Sequence, residues 1–394
     1  MSTWTRGVAL LLALFAGALA LPTSGQAAEE SRVQVYGFAQ MDAIYDFNTM
    51  DPAWNAALRP SKIPVNCPGD AGCGKDGETI FSVRQSRLGV KAMVPTSMGD
   101  LNTKFEFDMF GVGSDAGKTT IRLRHAYGEI GAFLAGQTNS LFMDIDVFPN
   151  TIEYWGPAGM IFFRNIQARW TFLNQDGTKA AVALEAPGSA VDSGNLVTVD
   201  PALAGVTGYT KYPDVTAMYR MDQDWGHLQA SGILRWIGWE TPTATDYEPS
   251  DNVIGWGGNL AGNFNTVGKS KVLFQVAYGE GIASYLNDCC VDAAPNAALT
   301  EGEAVPVLAW LLYYDHYWND RWSSSIGYSA VDQDNSGGQA ANAMAKGQYA
   351  SANLLHYPAQ NVMVGGELIW GQRENKDGAD ASDTRLQFSA KYSF

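Results

Sequence analysis

Six basic and three acidic side chains are the residues of this sequence whose types and spacing suggest chemistry. Arg87, Lys91, Arg122, Arg124, Arg164 and Arg169 are the cations, and Asp144, Asp146 and Glu153 fall between Arg124 and Arg164. A guanidinium offers a planar fork of donors that matches a carboxylate. Two such sets opposed across water would orient dipolar solutes and favour anionic ones. That is selection by charge and width, and it needs no catalyst. The rival from another class, an outer-membrane lipase or protease, would need a nucleophile beside His125, His227, His316 or His356, and no Gly-x-Ser-x-Gly elbow stands near any of them. Cys67, Cys73, Cys289 and Cys290 form no Cys-x-x-Cys metal pair. Dispersed Asp residues lack the spacing of a calcium loop, although acidic loops such as Asp46 to Asp51 or Asp332 to Asp334 could gather divalent cations. No catalytic residue, metal or cofactor is assigned.

These side chains need a strand register to position them. Val33, Val35, Gly37, Ala39, Met41, Ala43, Tyr45 and Phe47 alternate with a set containing Gln34, Gln40, Asp42 and Asp46. At the other end Thr384, Leu386, Phe388, Ala390, Tyr392 and Phe394 alternate with Arg385, Gln387, Ser389, Lys391 and Ser393. Period two is the signature of a strand with one apolar face. Many of the runs reach about 10 to 16 residues, beyond the 5 to 6 of soluble strands and enough for tilted membrane strands of about 9 to 11. Aromatic residues gather near strand ends, as at Trp236 and Trp239 or Tyr314, Tyr317 and Trp318, where rings form interfacial girdles. The fold class expected is all-β: a transmembrane antiparallel β-barrel of about sixteen strands, with short turns on one side and long links near 48 to 78, 187 to 212, 239 to 252, 280 to 304 and 332 to 345. A barrel of that size encloses water, which argues against a closed scaffold or adhesin.

Within that register Lys91 shares the face of Arg87, and Arg122 that of Arg124. Arg169, with Gln167 and Thr171, alternates against Ile166, Ala168, Trp170 and Phe172 and so faces the channel. Arginine on the lipid face would cost about 2 to 4 kcal/mol at the midplane. Arg220, Arg235, Arg385 and Lys391 are read as solvated wall residues.

The compartment follows from the first residues. Arg6, the uncharged run Gly7 to Leu21 and a small-residue stretch ending at Ala27 are a Sec-type signal peptide over 1–27, leaving 28–394 as the outer-membrane barrel domain. The apolar run is too short to cross a hydrocarbon core of about 30 Å. In an exported chain the four cysteines are expected to be oxidised, either Cys67 with Cys73, which leaves the adjacent pair Cys289 and Cys290, or between the two segments. The chain is 46% hydrophobic and 17% charged with a formal charge of −15 and no basic run, which argues against nucleic acid as a partner. Surplus carboxylates in outer loops lie beyond a Debye length of about 8 Å from any eyelet, so net charge does not decide permeation.

Lys391-Tyr392-Ser393-Phe394 resembles the terminal signature of Gram-negative outer-membrane proteins, which implies that the barrel assembly machinery reads Phe394. Arg87-Leu88-Gly89-Val90-Lys91, Arg124-His125-Ala126-Tyr127 and Phe163-Arg164-Asn165 are similar to strand segments of general trimeric porins. Gly136-Gln137-Thr138-Asn139-Ser140 and the stretch to Phe162 are similar to the third loop that folds into those barrels. With Val35-Tyr36-Gly37-Phe38 and Gly156-Pro157-Ala158-Gly159, the chain resembles the DcaP-like porin group. The resemblance implies a homotrimeric outer-membrane porin taking up dicarboxylic acids, with constriction arginines at Arg87, Arg124 and Arg164 facing Asp144, Asp146 and Glu153. Membrane lipid and lipopolysaccharide are the implied surroundings, and some of the arginines could contact them. Some members of the group carry a coiled-coil segment before the barrel. Here only a few residues separate Ala27 from Val33, so trimer contacts are expected from barrel walls alone.

Overall fold

The computed structural model describes residues 31–70, 72–74, 76–241 and 252–394. The leader assigned to 1–27 and most of the link at 239–252 fall outside the described residues. The chain forms a closed antiparallel barrel whose strands are, in order, Arg32–Asp46 (β1), Glu78–Ser82 with Arg87–Thr96 (β2), Gly99–Phe110 (β3), Thr119–Ile130 (β4), Phe133–Asn139 (β5), Arg164–Gln175 (β6), Thr178–Glu185 (β7) and Asp214–Gln223 (β8). Gly226–Glu240 (β9), Asn252–Asn265 (β10), Lys271–Glu280 (β11), Pro306–Asn319 (β12), Trp322–Gln333 (β13), Met344–Ala359 (β14), Val362–Asn375 (β15) and Asp380–Ser393 (β16) complete it. The sheet contains 18 hydrogen-bonded segments. Two of them follow one another along β1 as the interrupted β2, and Thr207–Tyr209 only extends the loop end of β9, so the wall has sixteen strands. β16 pairs with β1 from Phe38↔Ser393 to Asp46↔Arg385. Reciprocal backbone bonds between Gly37 and Phe394 finish the seam.

The two-residue period sets which face meets lipid. On β1, Val33, Val35, Met41 and Tyr45 are exposed to the outside, while Gln40, Asp42, Ile44 and Asp46 are buried within. On β16, Phe388 and Tyr392 point out, and Arg385, Gln387 and Ser389 are buried. Apolar side chains exposed on the outer face are what a hydrocarbon solvent requires.

The apolar core lies inside the cylinder and is built by loops. Residues 140–163, which join β5 to β6, hydrogen-bond to inward side chains on remote strands: Ile161 N–H to Gln275 on β11 (3.1 Å), Gly159 N–H to Ser329 on β13 (2.9 Å) and Ile152 N–H to Glu367 on β15 (2.7 Å). The Ile152 carbonyl accepts from Gln85 and Gln387. A buried loop must find partners for its backbone, and the polar inner wall supplies them. Residues 50–63 fold in against this segment, so Leu58, Ile63, Phe142, Ala158 and Ile161 share one cluster with the wall residues Val307, Tyr349 and Ile369. Fully burying a side chain such as Phe142 or Leu58 is worth about 1.5 to 3 kcal/mol, which holds both loops against the wall.

Two expectations change at this point. Of the cysteine pairings left open, the structure has Cys67 with Cys73 and Cys289 with Cys290. Arg235 and Arg385 are not solvated wall residues; each is 1% exposed and paired with two carboxylates, Asp214 and Asp292 for the first, Asp46 and Asp383 for the second. Alternation reports the face a residue occupies, and loops filling the lumen convert an inner face into a core.

Candidate functional site

β2, β3, β4 and the start of β6 bring the basic side chains together. Arg87 stands opposite Asp108 in the β2–β3 register, and Asp108 opposite Arg122 in β3–β4. A register shift between Glu106 and Phe107 leaves Arg124 as an extra residue in β4, so that Arg124 and His125 are both buried. Bulges of this kind re-aim side chains. Arg124 then bridges two carboxylates, with Nε 2.8 Å from Glu106 and Nη1 2.9 Å from Asp108. Arg122 lies 3.0 Å from Asp108, Lys104 3.3 Å and Arg87 3.7 Å from Glu106. The hydroxyls of Tyr36 and Tyr154 donate to Glu106 and Asp108, at 2.7 and 2.5 Å. Two buried carboxylates therefore hold a fan of guanidinium groups apart and in fixed geometry, which is the support a selective site needs. Gly89 gives Tyr36 its place, since a Cβ there would run into the Tyr36 ring.

The fan borders a cavity of about 770 Å³ between the β1–β4 wall and the two infolded loops. Among the described residues its lining holds six cations, Arg59, Arg87, Arg122, Arg124, Arg164 and Lys391, and a single carboxylate, Glu153. Arg164 is packed 4.9 Å over the ring of Phe162, and among the described residues no carboxylate lies within 4.0 Å of it. Arg59, from the loop after β1, sits 4.1 Å over Trp54 and 4.3 Å over Trp155 and is tied to Asp288 at 2.7 Å. The lining is cationic with aromatic patches.

Four of the nine residues singled out in the sequence line this cavity as cations: Arg87, Arg122, Arg124 and Arg164. Lys91 lies outside it, 4.9 Å over the Tyr36 ring, and Arg169 is engaged with Gln167 and the Asn139 carbonyl. Asp144 and Asp146 do not oppose the cations, and Glu153 borders their cavity with its carboxylate tied to backbone amides, which corrects the expected transverse arrangement. Asp144 accepts from His227 at 2.6 Å, and Asp144 and Asp146 both pair with Arg220 on β8, at 3.3 and 2.8 Å. Arg220 is therefore ion-paired, not free wall. Glu153 turns into the core, where the amides of Leu58 and Gly156 donate to it at 3.0 and 2.5 Å. Burial pushes its carboxyl above the usual range, while the amides of Gly156, Trp155 and Leu58 pull the other way. Spacing along a loop gives no parity, so the side each acid faces was not readable.

Glu106 and Asp108 were missed as functional residues. Their signal was present in the alternation of Leu101, Phe105, Phe107 and Met109 with Asn102, Lys104, Glu106 and Asp108, which put them on the inner face. Arg59 had no such signal, being carried in by a loop. Replacing Asp108→Asn keeps the shape and removes a charge that offsets the cations. One unit charge about 4 Å away is worth about 1 kcal/mol in water, so the ratio of anion to cation permeability is expected to rise roughly threefold to fivefold. Reversal potentials under a salt gradient measure this.

The four histidines are dispersed: His125 against Thr138, His227 against Asp144, His316 near Ser270 and Tyr314, and His356 against the Arg321 carbonyl.

The family model described as DcaP outer membrane protein matches residues 20–394. The outer membrane channel DcaP of Acinetobacter baumannii superposes with a TM-score of 0.78 at 24% identity, covering 94% of this chain and 99% of that one. An anion-selective porin from Comamonas acidovorans gives 0.59 at 10% identity, over 93% and 100% of the two chains. OmpT of Vibrio cholerae in its trimer form gives 0.54 at 12%, over 93% and 100%. No curated protein sequence matches this chain.

Proposed function

We propose, from the premise that this chain belongs to the DcaP outer membrane protein family, that it is a passive porin preferring small anions, dicarboxylates among them. The chain is an outer-membrane β-barrel of the porin type, and the solved structures it resembles include an outer membrane channel and an anion-selective porin. The finer reading rests on one observation: a cavity of about 770 Å³ lined by six cations and one carboxylate, with that carboxylate bound to backbone amides. An anion entering such a space exchanges water for forked guanidinium donors, whereas a cation meets like charge. A dicarboxylate spans two of the cations at once. The anion-selective porin of Comamonas acidovorans, which shares this fold, agrees with this reading.

We take the chain to be exported by its 1–27 leader and to assemble as a homotrimer. The trimer form of the Vibrio cholerae neighbour points the same way. So does the wall: β5 has 7 residues and β7 has 8, fewer than the roughly 9 to 11 that span a membrane, so this side of the barrel is best covered by protein. Gly37 and Phe394 bind each other's backbones at the seam, in keeping with Phe394 as the residue read by the assembly machinery.

The test is a planar bilayer with a tenfold potassium chloride gradient and the wild-type protein. A reversal potential on the chloride side is the expected result, and one on the potassium side overturns the reading. Competition by succinate should reduce chloride current more than competition by acetate at equal charge.

A further inference from the structure

The basic lining does not stop at the constriction. Lys391 near the end of β16 borders the 770 Å³ cavity and also a second cavity of about 550 Å³, formed by the short turns at 320–321 and 358–361 with Ser393. Met363 is the other residue common to the two. Both chain ends of the barrel and these turns lie on the short-turn side, so the second cavity opens at the periplasmic mouth. Phe38 borders the first cavity beside both cations, with the Arg87 guanidinium 5.1 Å from its ring centroid and the Lys391 ammonium 5.4 Å from it. Of the six cations that line the first cavity, Lys391 alone among the described residues also borders the second. Among the described residues no carboxylate lies within 4.0 Å of the Lys391 ammonium. Asp42, the acid on the neighbouring strand, is taken up by Gln40, Gln85, Gln387 and Ser389.

We propose that Lys391, where the two cavities meet, is a second anion station facing the periplasm, which accepts a small carboxylate from the arginine fan and releases it to the mouth. This rests on the anion-porin reading above and adds a site to it. Fast conduction favours several weak sites over one tight one, because an ion held by neighbouring stations in turn leaves more easily. Arg321, exposed beside the second cavity, would give the departing anion its last favourable contact before bulk water.

The experiment compares wild type, Lys391→Gln and Lys391→Arg in single oriented trimers, with succinate added to one side at a time and its block of chloride current counted. Lys391→Gln is expected to lower the rate of blocking events roughly tenfold from the periplasmic side and to lower it clearly less from the outer side. Lys391→Arg, which restores the charge, should restore the periplasmic rate. That rescue separates loss of the station from poor assembly of a strand close to Phe394. A wild-type channel that prefers potassium overturns the porin reading itself. An anion-preferring wild type whose block is unchanged in Lys391→Gln, or reduced equally from both sides, overturns the separate station and leaves the parent reading standing.

Discussion

The double variant Arg87→Ala with Arg164→Ala is expected to lower the ratio of anion to cation permeability by roughly thirtyfold, the equivalent of about 2 kcal/mol. The estimate takes about 1 kcal/mol for each unit charge some 4 Å from a permeating carboxylate in water-filled surroundings. Arg164 carries the larger share because among the described residues no carboxylate lies within 4.0 Å of it, whereas Arg87 lies 3.7 Å from Glu106. The two differ from Arg122 and Arg124, whose charges are largely spent on Asp108 and Glu106 at 2.8 to 3.0 Å. Arg122→Ala alone should therefore change selectivity less than Arg164→Ala, and single-variant reversal potentials measure the difference. An unchanged preference in the double variant would show that the fan is structural only.

Arg235→Ala is expected to destabilise the barrel by about 3 to 5 kcal/mol, because it strands two buried carboxylates. Arg235 contacts Asp214 and Asp292 at 3.0 Å each and donates to the Gly188 and Gly281 carbonyls. Those partners come from β8 and from the loops after β7 and β11, so one guanidinium ties three segments over the lumen. Arg235→Lys keeps the charge but not the fork and should recover part of the loss. Arg235→Ala with Asp292→Asn should be milder than Arg235→Ala alone, since one stranded charge is gone. Denaturant unfolding in detergent measures all three, and hydrogen exchange should locate the loosening in residues 186–213 and 281–305.

These two arginines show where reading by alternation succeeds and where it stops. Arg87 and Arg235 both belong to inner-facing phases, and both are found on the inner face. The first borders open space and the second is sealed under loops. Glu106 and Asp108 were equally legible as inner-wall residues, yet their work of spreading the arginine fan depends on a register shift at Arg124 that no spacing announces. Asp144, Asp146 and Glu153 were legible as loop acids, but the loop turns two of them toward Arg220 and one into the core. The cysteine pairing was open for the same reason, because each disulfide closes within its own loop and spacing alone did not choose that over pairing between the two loops.

By itself the sequence determined the closed barrel and the lipid-facing set, because a strand in hydrocarbon must alternate and must leave no unpaired edge, while it gave the strand number only as about sixteen. It also fixed the inner face of Arg87, Arg122, Arg124 and Lys391. Tertiary structure alone decided which inner charges stay free. That depends on loops meeting strands far away in the chain, as when Ile152 meets Glu367 or Arg59 meets Asp288, and such meetings follow from the filling of the lumen as a whole, not from any local repeat.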